Sequence, residues 1–238
     1  MKKTFLTAQW QYLIMANYII DPSILKPYLP YKTERDSYQD NCYLSLVGFL
    51  FNQTKIKGIK IPFHINFEEV NLRFYIRYKE QDKYKRGVVF ISEIVPKPAI
   101  VFIANTFYKE QYKFMQMNHK VQKDANNIEA EYKWKYKNKW NHLSVKADNT
   151  PAEMQVGSEA EFIAEHYWGY SKLNDTQTNE YPVQHPRWNM FPVTGYSIDC
   201  DFKLLYGNDF DFLKHTKPAS IFIYEGSEVS IGTKNIIR

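Results

Sequence analysis

The side chains best suited to chemistry lie in one short segment, Asn66-Phe67-Glu68-Glu69-Val70-Asn71-Leu72-Arg73-Phe74-Tyr75-Ile76-Arg77-Tyr78. Read as a β-strand, it sends Val70, Leu72, Phe74 and Ile76 one way and Glu69, Asn71, Arg73, Tyr75 and Arg77 the other. Same-face neighbours on a strand stand about 6.5 to 7 Å apart. A carboxylate, an amide, a guanidinium and a phenol therefore share one row. On a cavity wall, Arg73 clamps a substrate carboxylate through paired hydrogen bonds, and Glu69 serves as its counter-ion or as a proton carrier. An amphipathic strand with its polar side in water has the same spacing, and spacing alone does not choose between them.

His185 precedes Pro186 and Trp188 and is a candidate pocket imidazole, able to titrate near neutrality. The competing role is a histidine that bonds a backbone carbonyl beside a turn. His64, His119, His142 and His215 have no metal-ligand spacing, so no metal is expected. There is no P-loop, GxGxxG or GxSxG, so no cofactor is expected either. Cys42 and Cys200 lie far apart without a CxxC, which predicts reduced thiols and a cytoplasmic protein. Polar Thr7, Gln9 and Gln11 interrupt the first apolar stretch, so no signal peptide is expected. The longest apolar run, Tyr43 to Phe51, is too short to span a bilayer, and no membrane partner is expected.

These side chains must be positioned by a chain of 238 residues, 44% hydrophobic and 17% aromatic, with 9 Gly. That composition excludes disorder, collagen-like repeats and a disulfide scaffold, and it allows a sizeable core. The 19 Tyr and 16 Phe tilt the chain toward strands. A/T-rich codons account for part of that excess, as the 25 Lys against 6 Arg indicate. Of the formal charge of +5, a net +4 falls between Glu131 and Lys146. There Ile128, Ala130, Tyr132, Trp134 and Tyr136 alternate with Glu129, Glu131, Lys133 and Lys135, which predicts a hairpin turning at Lys137-Asn138-Lys139. Lysines interleaved with aromatics also fit a single-strand nucleic-acid platform. A solvated strand face accounts for them more simply, and no nucleic-acid partner is expected.

No repeat or linker divides the chain, so a single domain over residues 1–238 is expected. Strands are predicted over 11–20, 41–52, 67–78, 87–95, 181–184 and 219–224, and over 190–205 with interruptions. Asp21-Pro22 opens a short helix to about Leu29, and Ser158-Glu159-Ala160-Glu161 opens another to about Tyr167. Ile100, Ile103, Phe107, Phe114 and Met117 have near-helical spacing and predict a helix over 99–117, although AIVFIA is also compatible with a buried strand. The sum is an α+β chain of many antiparallel strands and few helices.

Five motifs in order resemble one family. They are Trp10 with Leu13; Asp21, Pro22, Leu25, Leu29 and Pro30; the Asn66–Tyr75 segment; Phe162, Ile163, Glu165 and Tyr167; and His185, Pro186 and Trp188. Together they resemble the DUF2071 (YqjF-like) proteins, related to the acetoacetate decarboxylase fold. The resemblance implies a cone-like antiparallel β-barrel with a few flanking helices and a central ligand cavity, and it turns the Glu69 row toward that cavity. In the decarboxylase a lysine with a lysine neighbour forms a Schiff base with the keto acid. The equivalent position falls near Gln111-Tyr112-Lys113, where Tyr112 takes the nucleophile's place and Lys113 has no lysine beside it. The arginine usual shortly before it is Asn105. Schiff-base decarboxylation is therefore not expected. The expectation is a barrel that binds a small carboxylate-like ligand among Glu69, Asn71, Arg73, Tyr75, Tyr112, Lys113, His185 and Trp188. Whether it is a non-catalytic sensor or structural partner protein, or a lyase or isomerase acting on a small carboxylate, is left open, as is homo-oligomerisation.

Overall fold

The computed structural model describes residues 3–238. The first half of the chain forms β1 (Thr4–Ile19), β2 (Thr33–Arg35), β3 (Tyr43–Ile56), β4 (Phe67–Glu80), β5 (Lys83–Val95) and β6 (Tyr112–Phe114). A Lys-rich meander follows as β7 (Gln116–Lys123), β8 (Asn127–Tyr136) and β9 (Lys139–Asp148). The remainder holds β10 (Ala152–Glu153), β11 (Trp168–Asn174), β12 (Gln177–Gln184), β13 (Asn189–Phe191), β14 (Val193–Asp199), β15 (Ser220–Gly232) and β16 (Asn235–Ile237). The helices are short: α1 (Pro22–Leu25), α2 (Pro98–Ile103), α3 (Glu159–Ala164) and α4 (Phe202–Tyr206).

The main sheet runs β15-β1-β3-β4-β5-β11-β12. β12 then pairs back onto β15, Val183 opposite Ile231 and Gln184 opposite Ser230, so the circuit of pairings closes. Every pairing in the circuit is antiparallel except the seam between β5 and β11, which joins Gly87 to Trp168 and Val88 to Gly169. β1 bulges at Tyr12, which has φ 52. Across from the bulge Gly226 sits at φ 85, and a Cβ there would lie 2.0 Å from the Trp10 carbonyl oxygen, so only glycine fits.

A second sheet, β14-β9-β8-β7, packs on one face of the first. Between them Val70, Leu72, Phe74 and Ile76 of β4 meet Ile128, Ala130, Tyr132 and Trp134 of β8 and Leu143 of β9 in one core. The opposite face of β3 and β4 is buried too. There Tyr43, Val47, Phe49, Phe67 and Tyr75 pack with Phe162 and Ile163 of α3, Trp188 and Tyr224. Burial on both faces explains why β3 reads as a continuous apolar run. The polar row Glu69, Asn71, Arg73, Tyr75 thus points inward, with Glu69 and Asn71 fully buried.

The hairpin, the Asp21 cap and the Ser158 cap form where the sequence places them; Ser158 accepts from the Glu161 N–H at 3.2 Å. On the hairpin's outer face Lys133 pairs with Glu131, Lys139 with Asp199 and Lys146 with Glu129. The helix expected over 99–117 is a correction. Helical backbone ends in a π turn over Ala104–Tyr108, and Lys109 takes the left-handed conformation at φ 56. Tyr112–Phe114 instead pairs with Glu93–Val95, and Met117 pairs with Trp134. Sheet pairing overrides the local period. The interrupted strands over 190–205 end in α4, capped by the Asp201 side chain.

Candidate functional site

A cavity of about 360 Å³ opens where β1, β3, β4, β12 and α2 meet. Its walls are apolar: Phe5 and Leu6 of β1, Phe51 and Ile56 of β3, Phe67 of β4, and Ile100 and Ile103 of α2. At its buried side it is acidic and phenolic, lined by Glu69, Glu110, Tyr112 and Tyr181. The Tyr112 hydroxyl donates to Glu69 Oε2 at 3.1 Å, and Asn71 Nδ2 donates to Glu69 Oε1 at 3.0 Å. Tyr181 donates to Glu110 Oε1 at 2.9 Å. Glu93 is paired in register with Tyr112 and is also buried.

Asn105 explains how Tyr112 is aimed. Its side chain accepts from the Tyr112 N–H at 2.8 Å and donates to the Tyr112 carbonyl at 2.9 Å, which fixes the backbone of the short strand β6.

Three carboxyls in so dry a site do not ionise at their ordinary value of 4.5. Burial pushes Glu69 up to about 7, against the opposing pull of the Asn71 and Tyr112 hydrogen bonds and the Arg73 charge. Burial, reinforced by the Glu69 charge, pushes Glu110 up to about 8. Glu93 is raised as well, by burial and then by the Glu110 and Glu69 charges. Burial raises the Tyr112 and Tyr181 phenols, which therefore stay protonated and act as donors. Around this cluster three buried oxygens have no hydrogen-bond partner among the described residues: Thr54 Oγ1 on the cavity wall, Asn71 Oδ1 and Glu93 Oε2. A buried polar atom of this kind calls for a hydrogen-bond partner from elsewhere. Among the described residues no three of His, Cys, Asp or Glu converge as a metal site.

Of the residues singled out from sequence, Glu69 and Tyr112 line this cavity, and Asn71 supports Glu69 from behind. Arg73 does not reach it. Its Nη2 lies 3.3 Å from Met15 Sδ and 3.4 Å from the Ile163 carbonyl near the end of α3. Tyr75 is spent on Ser45, 2.7 Å from its hydroxyl, and on the ring of Phe162. Lys113 leaves β6 on the face opposite Tyr112, with its Nζ donating to the Leu205 carbonyl. His185 lies 2.9 Å through Nδ1 from the Pro186 carbonyl and stacks on Trp188 at 3.9 Å, with burial pushing its imidazole down to about 4. Trp188 donates to Ser227 Oγ at 2.8 Å. Glu93, Glu110, Tyr181 and Thr54 were not singled out. Glu93 had one visible signal, as the lone acid in the apolar run Gly87–Val95.

A family model for an uncharacterised conserved protein, DUF2071, matches residues 7–228. The chain belongs to the DUF2071 family. Protein YqjF of Bacillus subtilis (strain 168), itself uncharacterised, is 26% identical over 181 residues, 74% of this chain and 72% of that one. Solved structures share the fold of this DUF2071 chain at low identity. An acetoacetate decarboxylase of Legionella pneumophila superposes with a TM-score of 0.66 at 11% identity, covering 99% of this chain and 88% of that one. The enduracididine biosynthesis enzyme MppR complexed with pyruvate gives 0.66 at 9% identity, covering 99% and 91%. Among the described residues no helix is long and apolar enough to cross a membrane.

Proposed function

We propose that this DUF2071 chain is a single-domain binding protein for a small amphipathic molecule. The apolar body lies among Phe51, Phe67 and Ile100, and a hydrogen-donating head, an amine in the simplest case, meets Glu69 and Glu110. The observation that carries the proposal is the coincidence, in one cavity, of apolar walls, two buried carboxyls and the unpartnered Thr54 Oγ1. The volume lies within the range of small-molecule sites, about 300 to 1,000 Å³. The closed circuit of pairings supports a cone-like barrel with the cavity at one end. A carboxylate ligand, as expected from Arg73, has no Arg or Lys to meet among the described lining residues, which favours the opposite ligand charge. Buried, unpaired Cys42 and Cys200 support a reducing, cytoplasmic location.

The test uses benzylamine as probe. Saturating benzylamine is expected to raise the wild-type melting temperature by about 5 °C or more, as mass action requires. Ala104→Phe, which fills the cavity from the turn after α2, is expected to fold normally and lose the shift. An equal shift in both proteins places the amine elsewhere.

A further inference from the structure

Six large apolar side chains stand in water around the mouth of this cavity. Ile59, Ile61 and Phe63 are on the loop joining β3 to β4, and Phe102, Ile103 and Phe107 are on α2 and its π turn. The two segments border one opening, since Ile61 and His64 line the cavity from one side and Ile100 and Ile103 from the other. Phe63 is 88% exposed and Phe102 68%. Phe63 also holds φ 64, a conformation costly for a bulky residue that packing does not repay here. Single exposed hydrophobes are ordinary, but a cluster of this size marks an interaction surface.

Charge selects the partner. Residues 55–65 contain Lys55, Lys57 and Lys60, residues 96–109 contain Lys97 and Lys109, and neither segment contains an acid. Among the described residues none of these five lysines pairs with a carboxylate. We propose that this face docks on an anionic lipid bilayer, with Phe63 and Phe102 among the headgroups and the lysines beside the phosphates, so that the cavity opens toward the lipid. Aromatic rings favour the bilayer interface, and each lysine near an anionic leaflet strengthens attachment roughly fivefold. A second copy of the same face fits worse, because the symmetric contact sets cations against cations. Attachment of this kind is peripheral and independent of what the cavity holds.

Sedimentation with lipid vesicles tests it. At low salt the wild type is expected to sediment with vesicles of phosphatidylcholine mixed with phosphatidylserine, and to stay in solution with phosphatidylcholine alone or at high salt. Phe63→Asp/Phe102→Asp and Lys57→Glu/Lys60→Glu are each expected to weaken attachment at least about tenfold without lowering the melting temperature, since all four side chains are exposed. Failure to sediment with the mixed vesicles at low salt overturns the proposal, as does unchanged attachment of both variants. A wild-type dimer that Phe63→Asp converts to monomer also overturns it, by showing that a second copy covers the face.

Discussion

At pH 9 the Glu110→Gln variant is expected to melt several degrees above the wild type, while at pH 5 the two melt close together. Glu110 has its folded pKa raised to about 8 from an ordinary 4.5. A carboxyl raised in this way contributes stability that is complete below about 4.5 and is lost as the pH rises through the folded value. Glu69, raised to about 7, and Glu93 act in the same direction. Above pH 8 the native protein therefore holds charges in an apolar site that the unfolded chain solvates freely. Glutamine removes one of them, keeps an acceptor for Tyr181 and relieves Glu93 of a neighbouring charge. The gain is on the order of 2 kcal/mol, or roughly 5 °C for a chain of this size. The acid side has its own limb. Burial holds His166 neutral down to about 4, against the usual 6.5, so below 6.5 the unfolded state takes up a proton that the native state refuses. Between 4.5 and 6.5 the two limbs oppose each other, and because three raised carboxyls outweigh one depressed imidazole, the wild-type melting temperature is expected to peak near the acid edge of that window, at about pH 4.5. Calorimetric scans from pH 4 to 9 on both proteins check the whole profile, and parallel profiles above pH 6 would show that Glu110 ionises normally.

Lys85→Met is expected to be the most damaging change outside the cavity. Lys85 Nζ lies 3.0 Å from Oε1 of Glu180, whose side chain is 1% exposed, and 4.3 Å above the Trp168 ring. Tyr170 donates to the same carboxylate at 3.3 Å. These residues tie β5, β11 and β12 together at the parallel seam, which like the β12–β15 closure is only two residue pairs long. Removing the lysine leaves the buried Glu180 carboxylate without this cation, at a cost of about 3 to 5 kcal/mol and a fall of roughly 10 °C in melting temperature. The double variant Lys85→Met/Glu180→Gln is expected to recover most of the loss, because no charge remains to be buried. Urea titration of the two single variants and the double variant measures the coupling; additive losses would mean that the pair does not act as one unit.

The period-2 pattern of β4 was legible from sequence, and so were the caps of α1 and α3 and the β8–β9 hairpin, because each rests on neighbours within a few residues. The acid cluster was half legible. Glu69 stands in the alternating row and Tyr112 came through the family resemblance, whereas Glu110 and Tyr181 lie 71 residues apart and only the fold brings them together. Arg73 has the chemistry of an anion clamp, but a bend of the ladder between Leu72 and Arg73 and the nearby end of α3 engage it elsewhere. The expected long helix over 99–117 failed for a related reason. Phe114 and Met117 keep a helical spacing from Ile100 and Ile103, yet both are held in sheet ladders by partners that local sequence does not show.

The most direct test of the cavity's chemistry is a matched series in one skeleton: benzylamine, benzyl alcohol and benzoate, each titrated calorimetrically into the wild type and into Glu69→Gln/Glu110→Gln at pH 8. The expected result is that the amine binds the wild type most tightly, the alcohol more weakly and benzoate not measurably, and that the double variant loses at least about tenfold affinity for the amine alone. Benzoate binding as tightly as benzylamine, or a series in which none of the three binds the wild type, would contradict the account.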